Sequence, residues 1–299
     1  MAPSPPFRKW LKRSVATAVV LLMLWLASSL AVAYKLTRRP HSLAPEPPPA
    51  VAWATIEPVR LNTDDGLELG AWYMPGRPDG PSFVLLHGFR SRRDESLPLA
   101  ETLANEGCSV LAVTMRAHGD SEGNYNDVGY SARHDVAAAV AWLEQRRPGK
   151  PVFVQGTSMG AAAAIYAAAE LQTRVRGYIL ECPFDDIRSA VRNRVSGHLP
   201  WPLDSVAYAG LRLVGPIFLP DLDRMAPVNY VAAIPETVPV LVMTGGRDRR
   251  ARPAEVRAVY ERIASHARLV VFPEADHGHL AEQCGAAYRA AVIDFLQKK

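Results

Sequence analysis

Residues 151–171 read PVFVQ, then GTSMG, then AAAAIYAAAEL. A short, apolar, partly β-branched run (Pro151 to Gln155) thus meets the pentapeptide Gly156-Thr157-Ser158-Met159-Gly160, and an alanine-rich run (Ala161 to Leu171) follows. The first run has the composition of a buried parallel strand and the last consists of strong helix formers. A serine on so tight a strand-to-helix turn is pushed out of the sheet, and the flanking glycines relieve the crowding. Its hydroxyl is exposed there, and the N–H of Met159, at a helix N-terminus, faces the same point in space. A GxSxG pentapeptide alone marks only a tight turn. The strand and helix around it make Ser158 a candidate nucleophile.

A serine hydroxyl is a weak nucleophile that needs a base, and the base needs an orienting acid. In a doubly wound sheet these partners lie at the carboxyl ends of later strands, acid before histidine. The run Val238 to Thr244 reads as a buried strand and leads into Gly245-Gly246-Arg247-Asp248. Arg268 to Phe272 is another such run, followed by Pro273-Glu-Ala-Asp-His277-Gly278, and Pro253 to Ser265 between them reads as a helix with proline at its start. Asp248 and His277 therefore fall on loops at the same sheet edge as Ser158. Asp248 is expected to orient His277 in preference to Asp276, because adjacent residues on an extended loop point apart. Ser82 to Leu86 is a further strand, closed by His87-Gly88-Phe89. The Phe89 N–H is the candidate second donor, with that of Met159, for an oxyanion hole. His87 and His118 are read as structural, holding the turns they sit on.

The set HGF (87–89), MRAHGDS (115–121), GTSMG (156–160), GGRD (245–248) and ADHGH (275–279) resembles an α/β-hydrolase. Within that superfamily the chain is similar to the serine-aminopeptidase-like and monoacylglycerol-lipase-like branch, which includes many membrane-anchored bacterial hydrolases. The resemblance runs from about Ile56 to Leu296. It implies a triad of Ser158, His277 and Asp248, an oxyanion hole from Phe89 and Met159, and no metal or cofactor. One departure concerns packing: Met115-Arg116-Ala117 stands where the branch usually has Asp-Arg-Gly.

Alternating strand and helix patterns predict an α/β fold with a doubly wound, mostly parallel sheet, a small helical cap and an N-terminal transmembrane helix. Thr55–Asn62 and Leu67–Tyr73, around Asp64-Asp65-Gly66, read as an antiparallel hairpin at the sheet edge. Val136, Val140 and Leu143 give Ala132 to Arg146 one apolar face, suited to covering the sheet.

The formal net charge of +4 misleads. Residues 1–40 hold seven of the 34 Lys and Arg and none of the 30 Asp and Glu, which leaves 27 basic against 30 acidic side chains elsewhere. The catalytic part therefore presents no net cationic surface for nucleic acid, and the chain has no zinc-ligand spacing, P-loop or GxGxxG. The N-terminal segment divides into a basic flank (1–13), an uncharged apolar stretch (14–34) and a Pro-rich linker (35–54), ahead of the hydrolase domain (55–299). The apolar stretch is long enough to span a bilayer. It reads as a single-pass signal anchor with the domain extracytoplasmic, or as a signal peptide cleaved near Ala31-Val32-Ala33 to leave a secreted protein. The linker is expected to act as a semi-rigid spacer that isolates membrane from domain. Cys108, Cys182 and Cys284 are scattered and odd in number, as suits small buried side chains rather than a disulfide framework.

Between the strand Gly177–Glu181 and the strand at Val238 lie about 55 residues, more than a crossover needs. This insertion, about 183–236, holds two short amphipathic runs, Asp185–Ser196 and Leu203–Val214. They either form an apolar acyl pocket or simply cover the sheet. Trp201 and Leu211 are the candidate pocket residues, and Arg188, Arg192 and Arg194 read as a solvated helix face rather than a head-group site. The leading expectation is a serine hydrolase acting on a small-molecule or lipid ester of short to medium acyl length through an acyl-serine intermediate. An amidase or peptidase on the same triad, or a non-catalytic ligand-binding protein on the same scaffold, are the alternatives. The sequence leaves the oligomeric state open.

Overall fold

The computed structural model describes residues 5–39 and 43–297, and the side chains of residues 5–7 lie outside that description. The first four residues of the basic flank and residues 40–42 of the linker are therefore not placed. The chain folds around one eight-stranded sheet of order β1-β2-β4-β3-β5-β6-β7-β8. Strands β1 (Glu57–Asn62) and β2 (Glu68–Met74) form the antiparallel edge hairpin. β3 (Ser82–Leu86), β4 (Ser109–Val113), β5 (Val152–Thr157), β6 (Val175–Glu181), β7 (Val240–Gly245) and β8 (Ala267–Phe272) run parallel. β3 and β4 are buried at every position, as expected where helices cover both faces of a parallel sheet.

The covering helices are α2 (Leu97–Asn105), α3 (Arg133–Arg146), α4 (Met159–Leu171), α7 (Pro253–Glu261) and α8 (Leu280–Gln297). Val136, Val140 and Leu143 are fully buried, as the period of α3 requires. The reading of the sequence named no element at α8, whose Tyr288 and Val292 close the core beside β6 and β7. Two cap helices, α5 (Ile187–Ser196) and α6 (Leu203–Phe218), lie between β6 and β7. The Met115-Arg116-Ala117 turn is accommodated without glycine. Ala117 itself takes the left-handed conformation (φ 60°), while Arg116 is held by Asp135 at 2.7 Å and Asp65 at 2.6 Å.

The N-terminal segment differs most from expectation. Helix α1 (Pro5–Leu36) begins inside the basic flank, and its residues Arg8–Leu36 are long and apolar enough to cross a membrane. Its C-terminal half packs on α6. The Trp25 indole N–H donates to the Val206 carbonyl at 3.0 Å, and Ser29 crosses at Gly210, where a Cβ would sit 2.1 Å from the Ser29 Oγ.

The linker is likewise no free spacer. Thr37, Arg38 and Arg39 pair with residues 124–126, and the Arg39 guanidinium donates to the carbonyls of Gly119 and Gly123 at 2.9 and 2.7 Å. Glu46 reaches the sheet edge. Its carboxylate accepts from the Thr114 hydroxyl at 2.7 Å and faces Arg93 at 3.3 Å. Arg93, whose side chain is only 2% exposed, also forks onto Asp120 at 2.7 and 2.9 Å and lies over Trp72. Composition could not separate a Pro-rich spacer from a Pro-rich packed coil, because the difference lies in these long-range polar contacts.

Candidate active site

The pentapeptide of residues 156–160 joins β5 to α4 as a strained elbow. Ser158 has φ 53° and ψ −105°, a conformation rare for a side-chain-bearing residue. Both glycines are sterically required. A Cβ on Gly156 would lie 2.3 Å from the Gly160 backbone, and one on Gly160 would lie 2.4 Å from the Leu86 carbonyl oxygen. Gly160→Ala must therefore push β3 and α4 apart, and unfolding in urea is expected to show a loss of about 3 kcal/mol.

The elbow turns the serine toward residues from the far side of the sheet. The His277 Nε2 lies 3.0 Å from the Ser158 Oγ, and its Nδ1 lies 2.8 Å from the Asp248 Oδ2. Asp248 follows β7 and is buried, and its other oxygen accepts from the backbone N–H groups of Arg250 and Ala251 at 2.8 and 2.9 Å. That fixes the carboxylate plane, so the imidazole is oriented from Asp248. Asp276 is exposed and its carboxylate makes no hydrogen bond or ion pair with the His277 ring; its N–H donates to Gln283.

Met159 follows the serine as the first residue of α4, and Phe89 lines the same cavity as Ser158; neither N–H takes part in the backbone hydrogen bonds that close these turns. His87 and His118 stand apart from the serine. The rings stack edge-on at 4.9 Å; the His87 Nε2 accepts from the Met115 N–H, and the His118 Nε2 from the Arg90 N–H. Burial pushes them down to about 4 and about 3, so both are neutral acceptors at neutral pH.

A buried polar group behind the nucleophile escaped the sequence reading. The Ser158 N–H donates to the Glu181 carbonyl at 2.8 Å. The Glu181 side chain, fully enclosed, accepts from the Gln155 amide at 3.0 Å and from the Tyr288 hydroxyl. Burial pushes its carboxyl up to about 7. No periodicity marks a single acid at a strand end, and Tyr288 comes from the unforeseen α8.

A cavity of about 150 Å³ opens on Ser158 and His277. Part of its wall is the cap: Ile187, Val191, Leu211, Phe218 and Leu219. The rest was not foreseen, for Ala33, Leu36 and Thr37 at the C-terminal end of α1 line the same space. Trp201 does not contribute, being 83% exposed on the outside of the cap.

Possible metal ligands are weakly placed. Cys182, Asp248 and His277 bring one atom each within 4.8 Å of one another. Asp248 and His277 already bond each other, and burial raises the Cys182 thiol so that it stays protonated. A second group, Asp64, Asp65 and His134, is mostly exposed, with Asp65 held by Arg116.

Comparison with known proteins agrees with this fold. Residues 79–215 match the family described as serine aminopeptidase, S33. An uncharacterized protein of Mycobacterium tuberculosis is 28% identical over 96% of both chains. A lysophosphatidylserine lipase of Xenopus tropicalis is 28% identical over 47% of this chain and 37% of its own. Among solved structures, a Pyrococcus furiosus esterase superposes with a TM-score of 0.66 at 27% identity, over 85% of this chain and 99% of that one. With the sheet order, the elbow and these likenesses in place, the chain is a hydrolase of the α/β-hydrolase superfamily.

Proposed function

We propose that the protein is a serine hydrolase that cleaves carboxylic esters of amphiphilic substrates through an acyl-Ser158 intermediate. The observation that carries this reading is the single imidazole bridging Ser158 and Asp248, at 3.0 and 2.8 Å. His277 Nε2 takes the Ser158 proton as Oγ attacks the ester carbonyl, and the Phe89 and Met159 N–H groups receive the oxyanion. The imidazolium then gives its proton to the leaving alkoxide. Water, deprotonated by the same nitrogen, attacks the acyl-serine, and the carboxylic acid departs as Ser158 recovers its proton. Asp248 holds the Nδ1–H tautomer and stabilises the imidazolium. Asp248→Asn is expected to lower kcat by about 10³–10⁴-fold; Asp276→Asn should stay within threefold. The reverse order would assign the acid to Asp276.

The cavity's apolar wall supports an acyl chain, and the lipase and esterase relatives favour an ester over an amide. The test is a hydrolysis screen over neutral esters of graded acyl length. Specificity should rise with length, each buried CH₂ adding about 0.8 kcal/mol, until the cavity is full. Leu211→Trp should shorten the preferred chain, whereas Trp201→Ala should leave the profile unchanged. A flat profile, or amide turnover exceeding ester turnover, would favour the amidase reading. Helix α1 supports single-pass anchoring, with the cavity held at the membrane surface; we propose that the domain lies outside the cytoplasm.

A further inference from the structure

The cap arginines do not behave alike. Arg188 is answered by Asp223 and by Asp186 at 3.6 Å, and Arg192 lies over the Tyr208 ring at 5.0 Å. Arg194, on the next turn of α5, has no carboxylate within ion-pair distance among the described residues. Instead it faces other cations. Its guanidinium carbon sits 5.3 Å from the centre of the Phe89 ring, and that of Arg90 sits 5.6 Å from the same centre. Arg250, two residues beyond Asp248, lines the cavity together with Arg194, Phe89, Ser158 and His277. Arg250 also lacks an acidic partner among the described residues, and the Arg90 guanidinium donates to the Lys35 carbonyl at 2.9 Å.

Arg90 and Arg194 thus meet over the Phe89 ring, and Arg250, from a third segment, repels Arg194. Arg194 is half-buried, and burial, followed by repulsion from Arg250 and Arg90, lowers its pKa. Among the described residues no carboxylate pairs with these guanidiniums to offset that repulsion, whereas an anion placed among the three would do so, and the planar guanidinium fork suits phosphate oxygens. Leu36, Leu211, Phe218 and Leu219 give the same cavity an apolar part, and Arg188 and Arg212 also line it.

We propose that Arg194, Arg250 and Arg90 form an anion-binding subsite for the leaving-group side of the substrate, so that the preferred ester joins a single acyl chain to a phosphate-bearing alcohol. This rests on the ester-hydrolase reading. The acyl chain lies between α1 and α6, the ester carbonyl sits at Ser158, and the phosphate meets the arginines as the alcohol departs.

The experiment compares hexanoylglycerol with hexanoylglycerol 3-phosphate on the full-length protein. The kcat/KM ratio of phosphate ester to neutral ester should be about tenfold or more. It should fall toward one in the Arg194→Gln/Arg250→Gln double variant, mainly through KM, and at about 0.5 M salt, where exposed charges are screened. Arg249→Gln, a neighbouring exposed arginine outside the cavity, should keep the wild-type ratio. In parallel, calorimetry on the Ser158→Ala protein should show the phosphate ester binding about tenfold more weakly once both arginines are replaced. A wild-type ratio near one, a ratio the double variant does not move, or binding indifferent to the arginines would overturn the subsite. Turnover of the neutral ester alongside any of these leaves the esterase reading standing. If neither ester turns over, that reading fails, and the binding measurement still decides the subsite.

Discussion

Ser158→Ala is expected to lower kcat for a short acyl ester by about 10⁵-fold, equivalent to about 7 kcal/mol of transition-state stabilisation. The effect is large because serine, imidazole and carboxylate act as one unit. With Oγ gone, the imidazole 3.0 Å away has only water to activate, and the acyl transfer is lost. The protein should still fold, since alanine fits the serine's space and the Ser158 N–H bond to the Glu181 carbonyl is a backbone bond. Initial rates together with a thermal melt check both halves. Activity within tenfold of wild type would remove Ser158 from the chemistry.

The second large effect concerns the N-terminal segment. A chain beginning at Leu43 keeps Glu46 but loses the Ala33, Leu36 and Thr37 wall of the cavity and the α1 cover of α6. It should fold, hydrolyse the shortest esters and lose its discrimination by acyl length. A chain beginning at Ala50 also loses Glu46, one of the two carboxylates that answer buried Arg93, together with the carbonyl that accepts from Arg93 and Trp72. Removing one partner of a buried ion pair costs about 3–5 kcal/mol, reduced here because Asp120 remains. The Ala50 chain should therefore melt well below the Leu43 chain in parallel thermal scans. Equal melting temperatures, with an unchanged chain-length profile, would restore the linker as a passive spacer.

The sheet and the placing of the candidate site residues were legible because they follow local rules. Strand runs such as Phe83–Leu86 and Val152–Val154 are apolar at every position because the sheet is covered on both faces. Gly156 is dictated by the closeness of its own turn to the start of α4 and Gly160 by the closeness of α4 to β3, and Asp248 and His277 fall where strands end. What stayed hidden depends on contacts between distant segments. Glu46 meeting Arg93, Ala33 walling the cavity and Glu181 meeting Tyr288 leave no trace in any window of sequence. The tip of the cap misled for a related reason: Trp201 is apolar and near the site in sequence, yet a proline-flanked turn points it to the outside. Arg188 is answered by Asp186 beside it and by Asp223 from a later segment, whereas Arg194 faces Arg90 and Arg250.

The measurement closest to the central claim is covalent labelling with an alkyl fluorophosphonate, followed by peptide mass mapping. Such a reagent modifies only a serine whose proton is drawn off by a neighbouring base and whose oxyanion is stabilised. One adduct per chain is expected, located on Ser158, abolished in Ser158→Ala and strongly slowed in Asp248→Asn. An unlabelled protein that retains ester turnover, or an adduct on another residue, would contradict it.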